Sequence, residues 1–277
     1  MGREENAAIF EHTQRMFQTV PELMAAVRHS NTVQEVIPEV DDVALVEPCF
    51  AVPAQITVSR KRSLEAAQGY LPGRVCVLNF ASATNPGGGV TRGSSAQEEC
   101  LCRCSTLYTN LTDPKVWKPF YASHRQLHDQ RYNDDIIYTP DVVVFKSDEQ
   151  EPRLLDNENW WKVNVITFAA PNLRPSRDGE TCVKISKREI LNLHIKRARR
   201  ILAVAARKGN DVVILGAYGC GAFMNPPDIV AVAMRQVVLE YRYHFKAIEF
   251  AVYCPPRDDR NYRIFQQIMR DIYESKC

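Results

Sequence analysis

Six short apolar runs, most of them rich in β-branched residues, alternate along this chain with stretches whose apolar residues return every three or four positions. Ile56–Val58, Val75–Phe80, Val142–Phe145, Val163–Ala170, Val212–Ala217 and Ala247–Tyr253 read as buried strands. The clearest helix-then-strand unit runs from Lys184 to Ala217. There Leu191, Ile195, Ala198, Leu202 and Ala205 share one helical face, Gly209 can cap the end, and Val212-Val213-Ile214 comes next. Further helices fit residues 228–241 and 260–274. Strand and helix in alternation leave few architectures, and the expectation is a three-layer α/β/α fold with a mixed central sheet.

The first fifty residues differ in character. Ile9, Met16 and Phe17 share a face, Pro21 can open a second helix, and Pro38, Asp41, Asp42 and Pro48 punctuate the stretch beyond that helix. They read as a helical N-terminal extension over residues 1–50, with residues 51–277 forming the main domain.

Composition limits function more than fold. Thirty-five Lys and Arg against 33 Asp and Glu leave a formal charge of +2, which excludes a strongly basic, sequence-specific nucleic-acid binder. The first residues lack a signal-peptide core, and no apolar run approaches the roughly 20 residues that span a bilayer. Nine cysteines, an odd number without a paired framework, suit reduced thiols in an intracellular compartment, cytoplasmic or nuclear. Cys100, Cys102 and Cys104 lack the spacing of a zinc site and read as small packing residues on a helix. The nine Lys and Arg between Lys184 and Lys208 read as a solvated helix face.

Two loops placed after expected strands carry the chemistry. The first reads Asn85-Pro86-Gly87-Gly88-Gly89 and, seven residues later, Gln97-Glu98-Glu99 at the start of a helical stretch expected to run through Tyr108. The second, Gly216 to Asp228, contains Gly219-Cys220-Gly221-Ala222-Phe223 and Asn225-Pro226-Pro227. Glycines here permit positive φ and bring bare N–H groups against a ligand, as in anion-binding nests, and a diphosphate is the natural guest. A tight turn needed only for strand-to-helix packing would look the same, and the residues leave both open. Gly221 is expected to need positive φ and to tolerate no side chain without loss of ligand. Neither loop has Walker or Rossmann spacing. Two acids in a first helical turn also suit the helix dipole. Burial and a neighbouring like charge would raise a carboxyl pKa there, the helix N-terminus would lower it, and the sequence leaves the balance open.

At these residues the chain resembles the bacterial-type poly(ADP-ribose) glycohydrolases, a branch of the macro-domain fold. The two loops look like that family's signatures, and Tyr138–Phe145 and Ala169–Leu173 are similar to its intervening blocks, so the resemblance covers about residues 56–254. It implies an intracellular hydrolase, a glycosidase that cleaves ribose–ribose bonds, releases ADP-ribose from chain ends and so reverses ADP-ribosylation in the response to DNA damage. It places Glu99 as the catalytic acid and Glu98 as the residue holding the ribose hydroxyls, with Asn85, Gly87, Gly88, Gly89 and Gln97 binding substrate. Gly219, Cys220, Gly221 and Ala222 would hold the diphosphate and Phe223 would orient the distal ribose. No metal or other cofactor is implied. The expected partners are poly(ADP-ribose), ADP-ribose and poly(ADP-ribosyl)ated proteins, with no membrane. An ADP-ribose-binding module of the same fold, or a mono-ADP-ribosyl hydrolase, is the alternative. After the first strand the chain reads Ser59-Arg60-Lys61-Arg62 where many macro domains place an acid.

Overall fold

The structure is a computed structural model that describes residues 2–43, 46–175 and 183–274. In chain order the elements are α1 (Arg3–Thr19), α2 (Pro21–Val33), β1 (Glu35–Ile37), β2 (Gln55–Ser59), α3 (Ser63–Gln68), β3 (Val75–Phe80), α4 (Gln97–Cys104), α5 (Leu107–Leu111), the short α6 (Pro114–Val116), a π-helical stretch Trp117–Ala122, α7 (Ser123–Leu127), β4 (Ile136–Val144), β5 (Trp161–Phe168), α8 (Lys187–Arg207), β6 (Val212–Leu215), α9 (Pro227–Glu240), β7 (Ala247–Ala251) and α10 (Arg260–Glu274). The strands form a mixed seven-stranded sheet in the order β1-β4-β5-β3-β6-β7-β2. The α/β class expected from the alternation is therefore the class observed. Among the described residues no helix is long and apolar enough to cross a membrane.

The chain divides into two compact units, Met1–Asp41 with Asn79–Ala169 and Asp42–Leu78 with Ala170–Cys277. In the first, β1 pairs antiparallel with β4 and β4 antiparallel with β5. The β4–β5 register shifts between Thr139 and Val142, beside Asp141 at φ 55. A bulge at that point accommodates Pro140, which has no N–H for a ladder. Helix α2 packs on β4. Phe17, Leu23 and Val27 from the two N-terminal helices meet Val143 and Phe145 in one cluster, with Phe17 edge-on to Phe145 at 5.9 Å. The helices expected at the N-terminus are present, and the short strand after them was not anticipated. At three residues, Glu35–Ile37, it is too short to carry a period of two.

The second unit is built on the parallel strands β3, β6, β7 and β2, paired in that order. Strands of this kind, covered on both faces, read as continuous apolar runs, and β6 is buried at all four of its positions. Helix α8 opens on a capping box in which Ser186 Oγ accepts from the Glu189 N–H at 3.2 Å and Glu189 Oε2 accepts from the Ser186 N–H at 2.8 Å. Gly209, at φ +66, lies just past its end as expected. The solvated face expected for this helix needs one correction. Arg197 is only 1% exposed, because its position coincides with the apolar stripe that buries Ile190, His194, Ala198 and Ile201.

Leu23, fully buried against β4 through its cluster, should cost about 2–5 kcal/mol when cut to alanine, read as a shift of the urea midpoint at constant m. A loss well under 1 kcal/mol would show that the N-terminal helices rest on the sheet without packing into it.

Candidate active site

In the first unit the chemistry-bearing residues sit where β3 ends and α4 begins. The Phe80 N–H donates to Gln97 Oε1 at 2.9 Å, so Gln97 ties the strand end to the helix start. The helical run breaks at Ser105, short of the Tyr108 expected, because Ser105 and Thr106 turn towards β4: the Thr106 N–H bonds the Val143 carbonyl at 3.0 Å.

Glu98 and Glu99 are 3% and 7% exposed. Glu98 is held in a cradle of donors. Its Oε2 accepts from the Ser82 N–H at 2.8 Å, Asn79 Nδ2 stands 3.4 Å from Oε1, and the Gly87 N–H also reaches it. Burial pushes its pKa up to about 8 and the neighbouring Glu99 adds to the rise, while these donors pull the other way. Of the opposing influences the sequence left open, desolvation wins at Glu98, which is mostly protonated at neutral pH. Glu99 is bound differently. One oxygen accepts from the Gly89 N–H at 2.9 Å, and Oε2 is buried with no hydrogen-bond partner among the described residues.

Gly88 explains why the loop carries consecutive glycines. Its φ is +59, and a Cβ there would lie 2.5 Å from Glu99 Oε1 and 3.0 Å from Glu98 Oε2. Any side chain would displace both carboxylates. Asn85 stands exposed on the same loop, its Nδ2 donating to Thr84 Oγ1 at 3.1 Å.

Helix α1 supports this loop and α4. Asn6 Nδ2 donates to the Gly93 carbonyl at 3.2 Å, Phe10 meets Tyr108 edge-on at 4.8 Å, and Thr13 Oγ1 donates to the Arg103 carbonyl at 2.6 Å. Lys146, its pKa lowered to about 8 chiefly by burial, donates to the Ile9 carbonyl at 3.0 Å and to Thr13 Oγ1 at 2.7 Å. Cys102 and Cys104 are buried and Cys100 partly so, all three as free thiols. Among the described residues no group of three or more His, Cys, Asp or Glu is placed to hold a metal ion.

In the second unit the loop after β6 is pinned by Asn225. Its Nδ2 donates to the Pro171 carbonyl at 2.7 Å and to the Gly219 carbonyl at 3.0 Å, and its Oδ1 pairs with His194 Nε2 at 2.9 Å. Because the amide nitrogen already donates, His194 Nε2 carries the proton, and burial lowers the imidazole pKa to about 4, keeping it neutral. The glycine that cannot be replaced is Gly219, at φ +77, where a Cβ would lie 2.6 Å from Ala170 Cβ and 2.7 Å from Asn225 Nδ2. This corrects the expectation of positive φ at Gly221. Its φ lies outside the left-handed region and a Cβ there meets nothing within 4 Å, because the tight turn closes at Gly219, where the Asn225 N–H bonds the carbonyl at 3.0 Å. Gly221 and Ala222 are exposed, Cys220 and Phe223 partly buried, and burial pushes the Cys220 thiol well above its usual range.

The family model for the microbial-type PARG catalytic domain matches residues 8–147, half of the chain. The chain belongs to that family. It is a poly(ADP-ribose) glycohydrolase, a glycosidase, as the two loops led us to expect. Among solved structures it is similar to the poly(ADP-ribose) glycohydrolase of Thermomonospora curvata, with a TM-score of 0.84 and 29% identity over 96% of this chain and 99% of that one. The same enzyme bound to the inhibitor ADP-HPD matches with a TM-score of 0.81 and 30% identity over 95% and 99% of the two chains. The enzyme of Deinococcus radiodurans in complex with ADP-ribose matches with a TM-score of 0.78 and 32% identity over 89% and 98%. A comparison with curated proteins finds no match.

Asn85, Gly87, Gly88, Gly89, Gln97, Glu98 and Glu99 thus share one loop and helix of the glycohydrolase's first unit, and Gly219 to Phe223 share one loop of the second. Sequence reasoning missed Asn79, Ser82, His194 and the role of Asn225. Only Asn225 carried a signal, as the residue before two prolines that open α9.

The raised pKa of Glu98 fixes a pH dependence. Because the folded value lies above the ordinary one, the contribution to stability is complete below about pH 4.5 and is lost as pH rises through about 8. The melting temperature of wild type relative to Glu98→Gln should therefore fall between pH 5 and 9. A difference that stays constant over that range would show that Glu98 ionises normally.

Proposed function

We propose that Glu99 is the acid of this glycohydrolase and Glu98 the residue that positions the ribose. The observation that carries the reading is the contrast between the two carboxyls. Glu98 is engaged by the donors of Ser82, Asn79 and Gly87, whereas Glu99 keeps one buried oxygen without a partner among the described residues. Glu99 protonates the oxygen that bridges the two riboses, and the bond from that oxygen to the anomeric carbon breaks. Positive charge develops on the sugar as an oxocarbenium-like state, water attacks the anomeric carbon, and Glu99 takes the proton that water loses. The raised pKa of Glu98 favours a second reading in which Glu98 is the donor.

ADP-ribose is the ligand of this site, in line with the Deinococcus radiodurans enzyme in complex with ADP-ribose. Asn85 bonds the distal ribose, the loop Gly87–Gly89 passes the scissile bond, and Gln97 keeps that loop's helix in place. Gly219, Cys220, Gly221 and Ala222 hold the diphosphate, with Phe223 against the ribose. Residues 51–277 form the catalytic domain, and residues 1–50 are its extension, limiting the site to chain ends. The packing of α1 beside Gly93 and Tyr108 supports that role. The enzyme acts on poly(ADP-ribosyl)ated proteins, reversing the mark in the response to DNA damage, within a reducing cytoplasmic or nuclear compartment that suits the seven described free cysteines.

Glu99→Gln should retain calorimetric affinity for ADP-ribose and lose about 10²-fold or more in turnover of poly(ADP-ribose). More than about a tenth of wild-type turnover in Glu99→Gln, together with an inactive Glu98→Gln, would move the acid to Glu98. In the same assay, wild type should release free ADP-ribose from the first time point. Early oligomers with little monomer would overturn release from chain ends.

A further inference from the structure

Arg125 lies outside every motif of the sequence and outside the roles assigned above. It sits on α7, directly after the π-helical stretch Trp117–Ala122, a geometry that is rare and concentrates at functional sites. Its guanidinium lies over the Trp117 ring, 4.8 Å from the centroid. Nε donates to the Thr84 carbonyl at 2.8 Å and Nη2 to Asn85 Oδ1 at 3.0 Å. The side chain is exposed. An exposed arginine normally keeps its rotamer freedom, and holding it costs entropy. Here one aromatic face and two acceptors fix it, and both acceptors belong to the two residues before Pro86 and the glycine loop.

The bond to Asn85 settles the orientation of an amide. Guanidinium can only donate, so the atom facing Arg125 must be the oxygen, and the amide nitrogen must lie on the other side. One Nδ2 proton goes to Thr84 Oγ1. The second has no acceptor among the described residues and is left to donate. We propose that Arg125 is a positioning residue for the glycohydrolase reaction, fixing the Asn85 amide so that its remaining N–H serves a ribose hydroxyl oxygen. The inference rests on Asn85 as a ribose contact. Lysine would not replace Arg125, because an ammonium lacks the planar fork that spans two acceptors while lying on an indole.

The test is a double-mutant cycle on the full chain: wild type, Asn85→Ala, Arg125→Ala and the double variant, with Arg125→Lys as a fifth protein. kcat and KM are measured on poly(ADP-ribose), and melting temperatures report folding. Each single alanine should lower kcat/KM about 10- to 100-fold. The double variant should be no worse than Asn85→Ala, and Arg125→Lys should stay within a few-fold of Arg125→Ala. If Arg125→Ala melts early, the cycle is run with Arg125→Lys. Losses that multiply in the double variant, recovery in Arg125→Lys, or an Arg125→Ala within about twofold of wild type would each overturn the proposal while leaving Asn85 in place. An Asn85→Ala within about twofold of wild type would instead remove the ribose contact itself, and the role of Arg125 with it.

Discussion

The burial of two adjacent carboxyls against a run of backbone N–H groups governs the first unit. Carboxyls with so little exposure need donors, and here they come from Ser82, Gly87 and Gly89, on a loop with no side chain to spare at Gly88. The donors divide unequally. Glu98 takes most of them and Glu99 keeps an oxygen without a partner among the described residues, so two chemically identical neighbours stand in different surroundings. The helix start brings them in at divergent angles of roughly 100°, which lets one loop serve both differently.

That loop could not hold its shape alone. Its glycines give it conformational freedom, and the cost in entropy is met by packing from behind. Helix α1 supplies it through Asn6, Phe10 and Thr13, and Lys146 in turn anchors α1 at Ile9 and Thr13. The N-terminal helices are thus part of the site's support as well as of the core around Leu23. In the second unit Asn225 does the comparable work: one amide ties Pro171, Gly219 and His194 together and leaves Gly221 and Ala222 exposed. In the second loop the glycine that steric necessity fixes, Gly219, is distinct from Gly221, which leaves room beside it, whereas in the first loop Gly87, Gly88 and Gly89 are all crowded.

Much of this was legible in the sequence because the signals are local. A continuous β-branched run such as Val212–Ile214, helical spacing from Leu191 to Ala205 and a proline at the first turn of α2 each depend on residues a few positions apart. The two glycine loops and Gln97-Glu98-Glu99 were equally plain, since backbone freedom and a helix start leave marks in the residue types themselves. What the sequence could not decide were quantities set by residues far away along the chain. The pKa of Glu98 depends on Asn79 and Ser82 as well as on burial. The choice between Gly219 and Gly221 depends on Ala170 and Asn225. The burial of Arg197 depends on which face of α8 turns inward. Strand β1 exists because β4 offers Ile136–Tyr138 as a partner, and three residues carry no periodicity of their own. Sequence therefore determined the longer elements, the two glycine loops and the candidate acids, since each is a property of neighbouring residues. Tertiary structure alone decided which acid is cradled, which glycine is irreplaceable and which arginine reaches Asn85, since desolvation, steric contact and hydrogen bonding act through space.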